Sequence, residues 1–508
     1  MRPYSHFPVG AALCRDPRAA PRSGRGVKPL LQKSKAIAGV LLAMFTGVTT
    51  ALPAQPEMQV LPHAKPRLIV LTDLSNEPDD EESLVRLLVY ADQFDLEGLV
   101  ATTSNWLKQN PREDLIRRDL EAYAQVRPNL VKHSPAFPST EDLLAVTRTG
   151  QPGYGQAFVG ADKASGGSRR IIEAVDRADE RPVWVSIWGG PNTLAQALWD
   201  VRASRPAAEV EKFVAKLRVY AISDQDDSGA WIRREFPKLF YIVSPSSPTS
   251  YQEYYRATWS GISGGQETQA APGYHAAMVA NPWLEAHVIQ NHGPLGALYP
   301  RRLYLMEGDT PSFLGLIDRG LGWDVSPAYG GWGGRYGLYQ PAGETRPIWT
   351  DMAATCDRLE VEPGRFDSSN QATIWRWREH FQNDFAARLN WCVADDFAKA
   401  NHNPHPVLNG DHSTGVVQIT AKAGATLSLS AQGTDAGDPG QGVKVSWWIY
   451  PEAGTIKDAL VRPTGALTAD LILPPEPKPG TVHVILQVED DGTPPLVAYR
   501  RIVVQVNP

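Results

Sequence analysis

The chain has 508 residues, 42% hydrophobic and 21% charged, with a net charge of −6, 43 Gly, 42 Pro, 15 Trp and 3 Cys. That length exceeds one ordinary core and implies two domains, while the hydrophobic share excludes wholesale disorder. The acidic balance argues against nucleic acid as a partner, and three cysteines exclude a disulfide scaffold or a four-cysteine zinc site. Tryptophan stands at about twice its usual share.

Residues 1–35 hold eight basic residues and one acid, Asp16, followed by the apolar stretch Ala36 to Thr49 and then TALPAQP. A basic lead, a short apolar run and small residues before a break predict an export signal, cleaved near Ala51 or Ala54. The apolar run is short for a membrane span, and no second one follows, so a secreted or periplasmic protein free of the membrane is expected. Removing the eight basic residues and Asp16 with 1–54 leaves 42 basic and 55 acidic residues, a net charge of −13. Cys356 and Cys392 then remain as candidates for a disulfide.

From residue 66 to 300 strand and helix patterns alternate. RLIVLT (67–72), LEGLVATT (96–103), VWVSI (183–187) and LRVYAIS (217–223) read as strands; 81–94, 111–126 and 193–201 read as helices. The alternation predicts an α/β fold with a mostly parallel sheet covered on both faces, and places ligands beyond the carboxyl ends of its strands. Residues 372–397 read as one long amphipathic helix. From about Asn409, VVQITA, TLSLSAQG, VKVSWWIY, LTADLIL, TVHVILQVED and YRRIVVQV alternate with period two between Gly, Pro and Asp turns, as in an antiparallel, Ig-like β-sandwich. The expected organisation is a leader 1–54, an α/β domain 60–398, a linker 399–409 and a sandwich 410–508.

The first strand-to-helix junction carries Asp73, Glu77, Asp79 and Asp80 within eight residues. Such crowding costs repulsion, which a hard divalent cation such as Ca²⁺ would relieve through carboxylate oxygens. Helix capping accounts for 79–82 but not for Asp73. A second acidic group, Asp224, Asp226 and Asp227, follows another strand end; it reads either as a polar loop with Asx turns or as part of the same rim. The aromatics of the glycine-rich stretch 323–337, Trp332 among them, read either as loop packing or as faces for sugar stacking.

Here the sequence resembles the nucleoside hydrolases, whose first strand ends in a D-x-D-x-x-x-D-D loop that holds Ca²⁺ and the sugar. GLVATTSNW (98–106) is similar to that family's second strand, which implies a sugar contact for Asn105. WGGPNTLAQAL (188–198) resembles T-G-P-L-T-N-x-A-x-A-L, which implies a metal-binding carbonyl near Gly189. EGDTP (307–311) resembles the late segment that supplies a metal-binding Asp, here Asp309. The wording is closer still to the secreted cellulose-binding, nucleoside-hydrolase-like proteins, which couple such a domain to a C-terminal β-sandwich, and the likeness covers essentially 60–508. Ser75 stands where the family's second Asp acts as base and metal ligand, with Glu77 or Asn76 left to substitute; Pro237 and Gly308 replace a sugar-contacting Asn and a His.

These readings converge on a secreted hydrolase of a glycosyl bond, N-ribosyl or small-sugar, with a sugar, a nucleoside or a polysaccharide as partner and no specified oligomeric state. Asp73, Glu77 and Asp79 are the expected catalytic groups. Asn105, Asp79, Trp332, Asp227 and His292 are the expected substrate contacts, and Asp73, Asp80, Gly189 and Asp309 the expected holders of a divalent cation. Glu307 and His292 are the candidate proton donors for the leaving group. The alternative is a non-catalytic carbohydrate-binding protein that keeps the pocket, which the Ser75 replacement favours.

Overall fold

The structure, a computed structural model, describes residues 58–75, 77–244, 257–263, 275–475 and 478–508. The expected leader 1–54 and Asn76 lie outside the described residues. No helix among those described is long and apolar enough to cross a membrane.

Among the described residues, nine strands precede residue 351: β1 (Met58–Leu61), β2 (Arg67–Thr72), β3 (Asp95–Ala101), β4 (Thr147–Thr149), β5 (Val183–Ile187), β6 (Leu217–Ala221), β7 (Phe240–Val243), β8 (Gly337–Tyr339) and β9 (Ile348–Thr350). Eight of them form one sheet in the order β4-β3-β2-β5-β6-β7-β9-β8, parallel from β4 to β9 with β8 antiparallel at the edge. Every residue of β2 and β5 is buried, which is why both read as unbroken apolar runs. Alternation sorts β2 into two cores: Leu68 and Val70 enter one, Ile69 and Leu71 the other.

Helices α1 (Pro78–Val89) and α2 (Glu113–His133) cover the first core, and α4 (Gly166–Asp176) to α7 (Ser228–Glu235) the second. Between them in sequence lie α3 (Thr140–Ala145), α5 (Asn192–Ser204) and α6 (Ala207–Lys216). From β2 the chain first builds outward through β3 and β4, then returns to add β5 on the other side. The β2/β5 junction is therefore the switch point of the sheet, where helices on opposite faces leave a crevice beyond the strand ends.

A hairpin of β10 (Asp357–Glu362) and β11 (Arg365–Ser369) leads to the C-terminal β-domain: β12 (Val416–Lys422), β13 (Thr426–Ser430), β14 (Val443–Ile449), β15 (Leu460–Gly465), β16 (Thr468–Ile472), β17 (Gly480–Asp490) and β18 (Val497–Asn507). One sheet runs β1-β12-β18-β17-β14 and the other β13-β16-β15. Most pairs are antiparallel, as the alternation predicts, but β12 and β18 run parallel. Strand β1 also joins this sheet, with Met58 opposite Ile419 and Leu61 opposite Val416. The chain thus begins in the sandwich before entering the α/β sheet, a long-range pairing that a four-residue strand does not announce.

The two parts share a core. Tyr450, Ile485, Val497 and Tyr499 of the sandwich join the first α/β core, and Trp377 lies 5.7 Å from Trp448, 5.9 Å from Tyr450 and 5.4 Å from Tyr499. This packing breaks the long helix expected over 372–397 into Ala372–Trp375 and Arg378–Trp391. At the break Arg376 turns to Asp357 at 2.9 Å and Glu452 at 3.2 Å. The second segment is buried on all sides rather than amphipathic; its Arg388 and Asp384 pair with each other, with Asp92 and with Arg319. Cys392 is a buried free thiol that donates to the Arg388 carbonyl, so the candidate Cys356–Cys392 disulfide does not form.

Because Trp377 is fully buried at this junction, Trp377→Ala should cost about 3–5 kcal/mol. Scanning calorimetry should show a single unfolding transition for both parts, shifted downward in the variant.

Candidate functional site

The crevice at the switch point is lined with carboxylates. Asp73 follows the last residue of β2 and is buried. Two residues on, Ser75 takes a left-handed backbone (φ 106°), which turns the chain back toward α1. Glu77 occupies the N-cap position of α1, with Pro78 pre-set for the first turn and Asp79 and Asp80 behind it. Capping is not what orders these acids. Glu77 makes no side-chain cap bond, and Asp80 Oδ1 reaches back to accept from the Asp73 backbone N–H at 3.1 Å and from the Thr72 hydroxyl.

Asp309 arrives from a distant loop through a chain of buried contacts. Arg86 on α1 grips Glu307 with two guanidinium nitrogens, one of them at 2.9 Å from Oε1. The Glu307 N–H donates to Glu82 at 2.7 Å, and the Thr310 hydroxyl donates to Glu307 at 2.7 Å. The loop is thereby fastened to the helix that carries Asp79 and Asp80. Carboxylate oxygens of Asp79, Asp80 and Asp309 come within 4.8 Å of one another.

Asp73 Oδ1 and Asp309 Oδ2 are buried without a hydrogen-bond partner. Burial pushes Asp73 up to about 6, against the Ser104 hydroxyl, and pushes Glu77 up to about 7 with help from the charge of Asp73. Burial first, then mutual repulsion, holds Asp79, Asp80 and Asp309 well above the usual carboxylate range; Asp309 feels Asp80, Asp79, Asp73 and Glu77. Five carboxylates therefore share one electrostatic environment, Glu77 among them. Orphaned buried oxygens and a cluster of hard oxygen donors fit a hard divalent cation.

The floor of the crevice is glycine for a steric reason. A Cβ at Gly189 would lie 2.5 Å from Asp73 Oδ1, and one at Gly190 would lie 2.5 Å from Asp226 Oδ2. These two residues follow β5, so its end is bare where two acids press on it. Asp226 accepts from the backbone N–H groups of Ser228 (2.7 Å) and Asn192 (3.2 Å), and burial pushes it up to about 7. At the rim, half-buried Asn105 follows Ser104, which faces Asp73. Tyr154 feels both Asp226 and Asp227, and the Lys108 ammonium sits 5.1 Å from its ring centre. Neither Tyr154 nor Lys108 carries a sequence signal, since the loops that bring them here meet through long-range contacts such as the bridge between Gln109 and Gly153.

The expected residues thus divide. Asp73, Glu77, Asp79, Asp80 and Asp309 come together, with Gly189 against Asp73 and Asn105 at the rim. Asp227 is instead spent on its neighbours: its Oδ1 accepts from the Gln156 N–H at 2.8 Å and fills the space that a Cβ at Gly155 would need. Trp332 is 2% exposed and packs on Phe381 and Arg319, leaving no ring face for a sugar. His292 is buried against the helix Arg378–Trp391, 3.1 Å from Asn390 Oδ1, because it ends the loop before the helix Gly293–Leu298. Glu307 is saturated by hydrogen bonds from Arg86, Tyr299 and Thr310 and is turned away from the crevice to hold the loop.

The chain matches the family model described as "Cellulose-binding Sde182, nucleoside hydrolase-like domain" over residues 67–336, and "Cellulose-binding protein Sde0182, C-terminal domain" over residues 426–506. Among solved structures it is similar to a nucleoside hydrolase-related hypothetical protein from Saccharophagus degradans that is associated with carbohydrate metabolism. That likeness has 36% identity and a TM-score of 0.74, covering 87% of this chain and 100% of the other. The effector protein XOO4466 and the type III effector XopQ complexed with adenosine diphosphate ribose are far more distant, each 12% identical over 65% of this chain and 95% of theirs, with a TM-score of 0.30. No curated protein matches. The expected α/β class of nucleoside-hydrolase type and the C-terminal β-sandwich are both present.

Three outcomes follow from the electrostatics. In chelator, Asp309→Asn should raise the melting temperature by removing a buried acid that repels its neighbours when ionised, and an added divalent cation should raise the melting temperature of the wild type but not of the variant. Arg86→Gln leaves Glu307 charged and unpaired in the core and should cost about 3–5 kcal/mol in denaturant melts. Asp73 at about 6 and Asp226 at about 7 keep protons in the folded chain that unfolded carboxylates release at about 4. The folded state then binds more protons than the unfolded one between roughly pH 4 and 7, so stability should fall as pH rises through that window. Thermal melts in chelator across that range would reveal it.

Proposed function

The chain belongs to the family of cellulose-binding proteins with a nucleoside hydrolase-like domain, and from that premise we propose that it is an exported hydrolase of a glycosyl bond, working on a small sugar or nucleoside in its acidic crevice. The observation that carries this reading is Glu77. It shares one electrostatic environment with Asp73, Asp79 and Asp309, which supports it as the acid left to substitute where Ser75 replaces the family's second Asp. A group pushed up to about 7 exchanges a proton readily near neutral pH, which is what a general base acting on water requires.

Cleavage of a glycosyl bond develops positive charge on the sugar ring. Glu77 takes the proton from the attacking water while Asp73 and Asp79 hold sugar hydroxyls; the leaving group departs with the electron pair of the glycosyl bond and takes its proton from solvent. Asn105 offers an amide that both donates to and accepts from a hydroxyl at the rim. Asp79, Asp80 and Asp309, with Asp73 beside them, are the residues that would hold a divalent cation. Such a cation supplies charge neutralisation and polarisation of a bound oxygen. A second reading, carbohydrate binding without turnover, draws support from Glu307 and His292: both candidate proton donors are engaged in packing.

Purified protein incubated with nucleosides and oligosaccharides, with and without chelator, should release reducing sugar in a cation-dependent manner. Glu77→Gln should lower kcat by about 10²-fold or more with little change in KM, and Asp79→Ala and Asp80→Ala should abolish turnover. Calorimetric binding of a sugar with no release in any reaction would favour the second reading. Turnover unchanged in Asp79→Ala and Asp80→Ala would remove the reaction from this crevice.

A further inference from the structure

The sheet β1-β12-β18-β17-β14 has one face in the sandwich core, formed by Val417, Ile502, Val504, Val482 and Val484. Its other face divides along the strands. Tyr499 and Ile485 are sealed against the α/β domain, and Arg501 and His483 are buried beside them, while the end of the face nearest β1 stays open as a groove of about 1130 Å³. Strand register aligns its side chains in two rows. Gln59 stands opposite Gln418 and Gln418 opposite Val503; beside them Thr420 stands opposite Gln505, and Gln505 opposite Thr481. With strands about 4.8 Å apart, each row runs roughly 10 Å across the sheet.

Tyr329, from the α/β domain, walls the groove and contacts His483 edge to face at 4.8 Å.

No charged residue lines this groove, in a chain otherwise rich in acids. Three glutamines and two threonines do, and Gln59, Thr420 and Gln505 are exposed. An amide donates and accepts at once, as does a hydroxyl, so such a surface matches a ligand made of hydroxyl groups. It offers nothing to pair with an ionic polymer and too little apolar area to attract a hydrophobic one. The volume exceeds the 300–1,000 Å³ usual for pockets that hold one small molecule, which favours an extended chain over a monosaccharide.

We propose that this groove is a binding site for a neutral polysaccharide chain, distinct from the acidic crevice and formed jointly by the sandwich sheet and Tyr329. It does not depend on whether the crevice catalyses. Neutral hydroxyethylcellulose and galactomannan should retard the full-length exported protein in affinity electrophoresis, and anionic polygalacturonate should not. Both substituted side chains of Gln418→Ala/Gln505→Ala lie on the open face, so the melting temperature should hold while affinity for the neutral polymer falls at least tenfold. Asp309→Asn should leave that affinity unchanged.

The proposal is overturned if the wild type binds no neutral polymer, if it prefers polygalacturonate, or if the double variant binds as well as the wild type. It is also overturned if Asp309→Asn alone abolishes binding, a result that would move the polysaccharide to the acidic crevice and leave the proposed hydrolase standing. Sedimentation showing a dimer that the double variant dissociates, with no sugar bound, would assign the face to a second copy instead.

Discussion

The buried pair between Arg86 and Glu307 is the contact on which the arrangement of this molecule turns. Arg86 sits two turns into α1, and besides Glu307 it donates to Gln382 and to the Phe381 carbonyl on the helix that meets the sandwich. One guanidinium therefore ties the first helix of the sheet, the loop that delivers Asp309, and the junction between the two parts. A full charge buried this deeply is tolerated only because its donors are nearly all used. The same saturation explains why Glu307, next but one to Asp309, has a structural task while Asp309 is left with an unpartnered oxygen.

The crevice is expensive by design. Five carboxylates with little neutralising charge raise one another's proton affinity, and the backbone around them is shaped to let them approach. Gly189 and Gly190 remove side chains where Asp73 and Asp226 must sit, and Gly308 does the same opposite Asp79, whose Oδ2 would lie 2.8 Å from a Cβ there. In resemblance to the nucleoside hydrolases, position 308 is where a His is replaced; physically, the replacement opens room for the carboxylate of Asp79. Strain and repulsion gathered in one place, in an otherwise well-satisfied core, are the usual marks of a site kept for binding or reaction.

The β-sandwich is more than an appendage. Its large sheet lends the middle of one face to the core of the α/β domain and leaves an open groove without charged lining at the end nearest β1, and β1 stitches the start of the described chain into it. Tryptophan follows the same logic. Trp323, Trp332 and Trp377 are buried outright, and Trp447 and Trp448 pack at the margins of two different cores. These tryptophans thus build the cores and the junction rather than a sugar platform, and the groove chemistry rests on glutamine and threonine instead.

How much could be read in advance depended on the range of the interactions. Alternating strands and helices, the period-two texture after Asn409 and the acidic junction at 73–80 are local patterns, so the sequence by itself determined the α/β class, the sandwich and the candidate carboxylates. Asp309 was legible only through a motif, since nothing near it in sequence explains its position. Tertiary structure alone decided that Glu77 meets Asp73 while Asp227 serves a backbone loop, that Trp332 and His292 are core, that the 372–397 helix breaks, and that Cys392 stays a thiol. Most of these are settled by partners that no local pattern joins, Gln156 for Asp227, Asn390 for His292 and Phe381 for Trp332, or by a backbone reversal such as that at Ser75. Residue type sets what a side chain can do; only the packing around it sets whether anything is left for it to do.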